Sequence, residues 1–273
     1  MKNTTKKLFN KVACLALAAM MVLSVFCVST PTEVSAADKS FKSKGKSSVT
    51  ITDQECYKLG QYAVTGEPTW IKFKATSDGY LKITASMAST VYTDYVDGQW
   101  QLYDKKKTTA VAPVMYYSTN ATDSLYYSDY YGVKKGTTYY LKVYADGGVK
   151  LTASFTKVTD KSGAKKSKAL NIKNGKSVTG LVRVGDSKIS DWYKLSLSSA
   201  KKLNISVTTY VNDTLSVTLS GPGVYTKTFN YGSAAQGKKD RIYTSSKVKA
   251  GTYYLQVKPA KKTTSGFYKI SWK

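Results

Sequence analysis

The chain has 273 residues, with 42 Lys and Arg against 17 Asp and Glu, a formal net charge of +25 and no histidine. The missing histidine excludes Ser–His–Asp and Cys–His centres and removes the commonest zinc ligand. The charge favours polyanionic partners held in a salt-dependent way, and the length suffices for one large core or two modest ones.

The first element is an address. Lys2, Lys6, Lys7 and Lys11 precede an uncharged run from Val12 to Val28, and Val34-Ser35-Ala36 forms a small-residue cleavage site. Residues 1–36 are therefore read as a signal peptide, which makes the protein secreted or extracellular, with cell-surface association open. The rival reading is a retained anchor, but the run only reaches the lower limit for a bilayer core of about 30 Å. No later stretch is long and apolar enough to span a membrane. Cys14 and Cys27 leave with the signal, so Cys56 stands alone and no intramolecular disulfide is expected. For an exported chain the accessible polyanions are cell-envelope polymers, anionic polysaccharides and lipid headgroups, not nucleic acid. The same lysines equally suit a solvated surface that blunts strand edges.

From Thr69 the pattern has a period of two. Ile71, Phe73 and Ala75 alternate with Trp70, Lys72 and Lys74; Leu81, Ile83 and Ala85 alternate with Lys82, Thr84 and Ser86. A tyrosine-rich stretch follows, YYSTNATDSLYYSDYYG from Tyr116 to Gly132, then VKKGTTYYLKV from Val133 to Val143. After a closing strand with Val149, Leu151, Ala153 and Phe155 on one face comes the polar TDKSGAKKSK, 159–168, which reads as a linker. The text then repeats. DWYKLSLSSAKKLNISV (Asp191 to Val207) aligns without a gap on TWIKFKATSDGYLKITA (Thr69 to Ala85), and VKAGTYYLQV returns the earlier phrase from Val248 to Val257.

Alternation, abundant Val, Thr and Tyr, and turns such as SDG and GPG indicate short antiparallel strands. The expected fold is all-β: two tandem antiparallel β-sandwiches of Greek-key or jelly-roll type, at about 41–158 and 169–273. In the repeated phrase Gly136 and Gly251 reverse the chain. Tyr139 and Tyr253 then join the core face, which leaves Tyr140 and Tyr254 on the opposite one.

The second half, Ser190 to Lys273, resembles the bacterial pre-peptidase C-terminal domain. DWYKLSLSSAKKLNISV supplies a D-x-Y-x-F-like opening strand and NDTLSVTLSGPG a middle strand after an acidic residue. VKAGTYYLQVKPAKKTTSGFYKISW supplies the G-x-Y-Y-x-x-V phrase and the closing strand. The first half matches more loosely, with Thr69 and Ile71 where the second has Asp191 and Tyr193. The resemblance implies small jelly-roll sandwiches of the kind appended to secreted peptidases, aiding secretion or binding substrate polymers. No peptidase precedes the copies here. Some such domains bind calcium through clustered carboxylates, but Asp186, Asp191 and Asp213 are spread out, so neither metal nor cofactor is expected.

Catalysis is not expected. Past the signal the only glutamates are Glu55 and Glu67, no spacing suggests a facing carboxylate pair, and the phosphate-cradling loop is missing. Counting alone does not exclude a Ser–Lys dyad. Two groups are candidates for ligand binding. Trp70 and Trp192 fall by parity on the lysine-bearing face, where rings can stack on sugars or simply pack under a loop. Tyr126, Tyr127, Tyr130 and Tyr131 form either an adaptable contact surface or cross-strand ring pairs. The expected function is a secreted or cell-surface binding protein that attaches to polysaccharide or cell-envelope polymer. The alternative is a protein–protein accessory or inhibitor acting with a separate secreted enzyme.

Overall fold

The structure, a computed structural model, describes residues 39–51, 57–59, 63–65, 67–87, 95–120, 127–146, 148–185 and 190–273. The signal segment, Cys56, Tyr126 and Asp186 lie outside them.

The first half forms β1 (Lys39–Ser40), β2 (Gly45–Ile51), β3 (Tyr57–Leu59), β4 (Ala63–Thr65), β5 (Thr69–Lys74), β6 (Gly79–Met87), β7 (Tyr95–Tyr103), β8 (Met115–Asn120), β9 (Tyr127–Val133), β10 (Thr138–Asp146) and β11 (Val149–Lys157). The second forms β12 (Leu170–Asn171), β13 (Ser177–Val182), β14 (Asp191–Leu197), β15 (Asn204–Val211), β16 (Leu215–Gly221), β17 (Val224–Tyr231), β18 (Lys239–Tyr243), β19 (Gly251–Pro259) and β20 (Gly266–Trp272).

Two sheets build each half. The first has strand orders β1-β5-β10-β7-β8 and β2-β11-β6-β9; the second has β12-β14-β19-β16-β17 and β13-β20-β15-β18. With the β3–β4 hairpin set aside, the two halves agree strand for strand. Even the two parallel pairings, β1 with β5 and β12 with β14, occupy matching places. The duplication read in the sequence is thus a duplication of topology.

Burial follows the period of two. Ile71, Phe73 and Ala75 are buried while Lys72 and Lys74 are exposed, and Tyr193, Leu195 and Leu197 are buried between Trp192, Lys194 and Ser196. Each half closes its own core: Trp100, Leu141 and Ile83 belong to one, Tyr253, Leu255 and Ile205 to the other. The turn before β10 places Gly136 at φ 79°, a left-handed conformation that a Cβ disfavours.

The second core contains a polar chain built on the first residue of β14. Ser162 Oγ donates to Asp191 Oδ1 at 2.7 Å, Tyr268 OH donates to Asp191 Oδ2 at 2.6 Å, and the Tyr193 and Tyr268 hydroxyls bond at 2.8 Å. Thr69 and Ile71 stand in the matching places of the first copy, whose buried polar chain is built instead on β9, where Tyr131 bonds Asp129 and accepts from Trp100 Nε1.

The 159–168 stretch is tied down to the second sandwich. Asp160 accepts from the backbone N–H of Ser162 and of Leu181, both at 2.8 Å, and Gly163 pairs with Trp192. A small apolar joint connects the sandwiches: buried Val158, Leu181 and Phe267, flanked by Tyr80, Tyr130 and Tyr210. Phe267 lies between Tyr80 (4.0 Å, 13°) and Tyr210 (4.5 Å, 7°). Beside it the backbones themselves meet, since Val184 N–H donates to Gly132 O at 2.9 Å.

That close approach requires glycine. A Cβ at Gly132 would run into the Val182 carbonyl oxygen and lie 2.8 Å from that of Gly266. Gly132→Ala should therefore destabilise by about 1–3 kcal/mol, the usual cost of forcing atoms into a packed region. Urea unfolding measures this; an unchanged midpoint would show that the joint yields freely.

Among the described residues no helix is long and apolar enough to cross a membrane.

Candidate functional site

Strands β5, β10 and β7 lie side by side, so their outward residues share one face. Register sets Trp70 opposite Lys142 and Lys72 opposite Tyr140, with Tyr103 opposite Tyr140 on the other side. The inward alternates, Ile71, Leu141 and Leu102, fill the core, which leaves the aromatic and lysine side chains nowhere to go but outward. Three rings cluster there. Trp70 meets Tyr103 edge-on at 5.3 Å between centroids and 79°, and Tyr140 at 6.4 Å and 83°.

Ammonium groups sit over these rings. Lys142 Nζ is 5.8 Å from the Trp70 ring, 6.0 Å from Tyr103 and 5.0 Å from Tyr144. Lys107 Nζ is 4.6 Å from Tyr140 and 5.3 Å from Trp70. Cation–π contacts at such partly exposed positions stabilise by about 0.5–1 kcal/mol each, enough to bias where the lysines rest. Lys107 comes from a turn organised by Asp104, whose Oδ1 accepts from the N–H of Lys106, Thr108 and Thr109. Within that turn Lys107 takes a φ of 60°. Tyr103 OH donates to Gln101 Oε1 at 3.1 Å, and Gln101 donates to Ala112 O at 2.9 Å. A hollow of about 470 Å³, lined by Lys72, Lys105, Gly136, Thr137, Thr138 and Tyr140, opens beside the rings. The face therefore offers ring surface for C–H groups, and ammonium donors for acids or hydroxyls at its edge.

A larger hollow, about 590 Å³, lies at the joint and includes Asp78, Asp160, Arg183 and Asp191 in its lining. Its carboxylates and Arg183 already serve the fold. Asp78 pairs with Arg183 at 3.2 Å and accepts from Lys135 N–H at 2.7 Å, while Asp160 and Asp191 hold the bonds given above. Burial, and then the charge of Asp160, push the Asp191 carboxyl up to about 6. Among the described residues no three His, Cys, Asp or Glu gather as a metal-binding group.

The candidate residues divide. Trp70 belongs to the outer-face cluster, and Trp192 is half-buried at the matching position of the second sandwich. Tyr126 lies outside the described residues. Tyr127 packs half-buried against the first core, and Tyr130 faces the joint, 5.2 Å from Tyr210 and 5.6 Å from Phe267. Tyr131 is fully buried and its hydroxyl accepts from Trp100 Nε1 at 2.9 Å, so it is a core residue and not a surface one. The reason is parity: Asp129, Tyr131 and Val133 of β9 point inward together. Tyr103, Tyr144, Lys107 and Lys142 were not among the candidates. Tyr140 and Lys142 carried a legible signal, since alternation against Tyr139 and Leu141 already set them outward.

No protein-family model matches the chain, and no curated protein matches it. Among solved structures there is a weak, partial match to the pre-peptidase C-terminal domain of collagenase from Bacillus anthracis. It has 24% identity over 38% of this chain and 93% of that one, with a TM-score of 0.30. The N-terminal CBM22-1-CBM22-2 tandem domain of Paenibacillus barcinonensis Xyn10C is similar at 8% identity, 83% and 92% coverage and a TM-score of 0.27. Tripeptidyl Peptidase 2 is similar at 11% identity, 83% and 22% coverage and a TM-score of 0.26. Likenesses of this strength carry no argument about function, which is left to the side chains.

Proposed function

We propose that the protein is an exported, non-enzymatic binding protein that holds polysaccharide on the outer face of its first sandwich. The observation that carries this reading is the grouping of Trp70, Tyr103 and Tyr140 on one sheet face, with Lys107 and Lys142 over the rings. Rings with few torsions offer contact area at low entropic cost, and a sugar presents the matching C–H face. The signal motif supports export, and the matched phrases of residues 190–273 support a jelly-roll sandwich like that of pre-peptidase C-terminal domains.

The test is retention of the mature chain on neutral and anionic polysaccharides at about 50 and 300 mM salt, which separates ring contacts from screened charge. Trp70→Ala and Tyr140→Ala should each weaken binding about tenfold, in line with about 1.4 kcal/mol per tenfold. Retention that these variants leave untouched, or no retention on any polysaccharide, would overturn the reading. The second outcome would favour a protein partner.

A further inference from the structure

The second sandwich rebuilds much of the same constellation, with Ser220 opposite Tyr254 where the first face has Tyr103 opposite Tyr140. On β14 Trp192 and Lys194 point outward two residues apart, as Trp70 and Lys72 do on β5. Register sets Lys194 opposite Tyr254, as it sets Lys72 opposite Tyr140. The third part is the informative one. Lys166 Nζ lies 4.7 Å from the Tyr254 ring, and Lys107 Nζ lies 4.6 Å from the Tyr140 ring. Lys107 comes from the turn after β7, whereas Lys166 comes from the stretch between the sandwiches. Duplication explains Trp192, Lys194 and Tyr254, but it does not explain an ammonium group arriving over the same ring from an unrelated segment. Gln256, opposite Trp192 where the first face has Lys142, is anchored by donating to Ser190 Oγ at 2.9 Å.

Among the described residues no carboxylate pairs with Lys72, Lys142, Lys166 or Lys194. Each face thus combines ring surface with ammonium groups, Lys72 and Lys142 on one and Lys166 and Lys194 on the other, that no described carboxylate neutralises. A ligand that satisfies both is a sugar ring bearing a carboxylate: the ring stacks, and the acid meets the ammonium. A polyol-phosphate chain would supply charge but no ring plane.

We infer that the Trp192–Lys194–Tyr254–Lys166 face is a second binding site, and that both faces take a uronic-acid polysaccharide, so that one long polymer is held at two points. This rests on the polysaccharide reading of the first face. Two linked sites raise affinity for a long ligand by as much as about 10² or more without any new contact.

The experiment uses the mature chain and three variants: Trp192→Ala/Tyr254→Ala, Trp70→Ala/Tyr140→Ala, and the milder Lys166→Gln/Lys194→Gln. Probes are long polygalacturonate, its trimer, carboxyl-reduced polygalacturonate and a glycerol-phosphate polymer. Wild type should bind long polygalacturonate at least tenfold more tightly than any of the variants. It should bind two trimers where either Trp/Tyr double variant binds one, and should lose tenfold or more on the carboxyl-reduced form. If both second-face variants match wild type on the long polymer, the second site is refuted, while a loss in Trp70→Ala/Tyr140→Ala would leave the first-face reading standing. If that variant also matches wild type, both fall. Equal binding of the carboxyl-reduced or glycerol-phosphate polymer would overturn the uronic-acid assignment, as would no binding of polygalacturonate by wild type.

Discussion

Phe267→Ala is expected to cost about 3–5 kcal/mol and to make the two sandwiches unfold separately. The ring is nearly fully buried, and it is the largest of the three buried apolar side chains in the joint, with Val158 and Leu181. It stacks on Tyr80 from the first sandwich and on Tyr210 from the second. Truncation therefore removes the transfer free energy of a phenyl group, leaves a hole, and forfeits two stacked pairs worth about 0.5–1.5 kcal/mol each beyond area. The cores of the two halves share no buried residue with the joint, so each should survive the change. Calorimetry should show one transition for wild type and two for the variant. A single transition displaced by less than about 1 kcal/mol would mean that the backbone contact at Gly132 couples the sandwiches by itself.

Most of the fold was legible because alternation is a local property. Ile71 against Trp70, and Leu195 against Lys194, could be sorted inward and outward without knowing any strand partner. The duplication was legible because both copies kept their core spacing. Strand order was not, since the neighbours of β10 are β5 and β7, set by pairings far apart in sequence. The site suffered for the same reason. Trp70 was found by parity, but its ring partner Tyr103 belongs to a strand that no sequence pattern had marked, and only register brings the two together. In the tyrosine-rich stretch composition misled, because density of tyrosine says nothing of which face each occupies. Applying parity outward from Val133 would have placed Tyr131 inside. The 159–168 stretch looked like a linker because Asp160 and Ser162 are polar; their backbone and carboxylate partners, Leu181 and Asp191, lie elsewhere in the chain.

Two buried carboxyls, Asp129 and Asp191, should each subtract stability as pH rises from about 4 to about 6. Burial pushes Asp129 up to about 6 from an ordinary 3.8, against the opposing effect of hydrogen bonds from Tyr131, Tyr130 N–H and Gln236. Burial and the charge of Asp160 do the same for Asp191, against Tyr268 and Ser162. In both cases the native state holds its proton to higher pH than the unfolded chain. Between about 4 and 6 the folded form therefore binds more protons, and the slope of unfolding free energy with pH is negative. Below that window both states are protonated and no penalty exists; above it both are ionised and the penalty is complete, up to about 3 kcal/mol per group. The chain's other charges work the opposite way at low pH, since protonating surface carboxylates adds to an already large positive charge. The effect must therefore be read as a difference. Urea unfolding of wild type and of Asp129→Asn/Asp191→Asn at intervals from pH 4 to 7 supplies it. The variant's stability relative to wild type should rise across the window and level off above it; parallel curves would show that the carboxylates are solvated or paired well enough to ionise in place. Asp129 adds a mechanical consequence, because Gln236 of the second sandwich donates to it at 3.4 Å across the joint. Ionisation strengthens that long bond, while burial penalises the charge that forms.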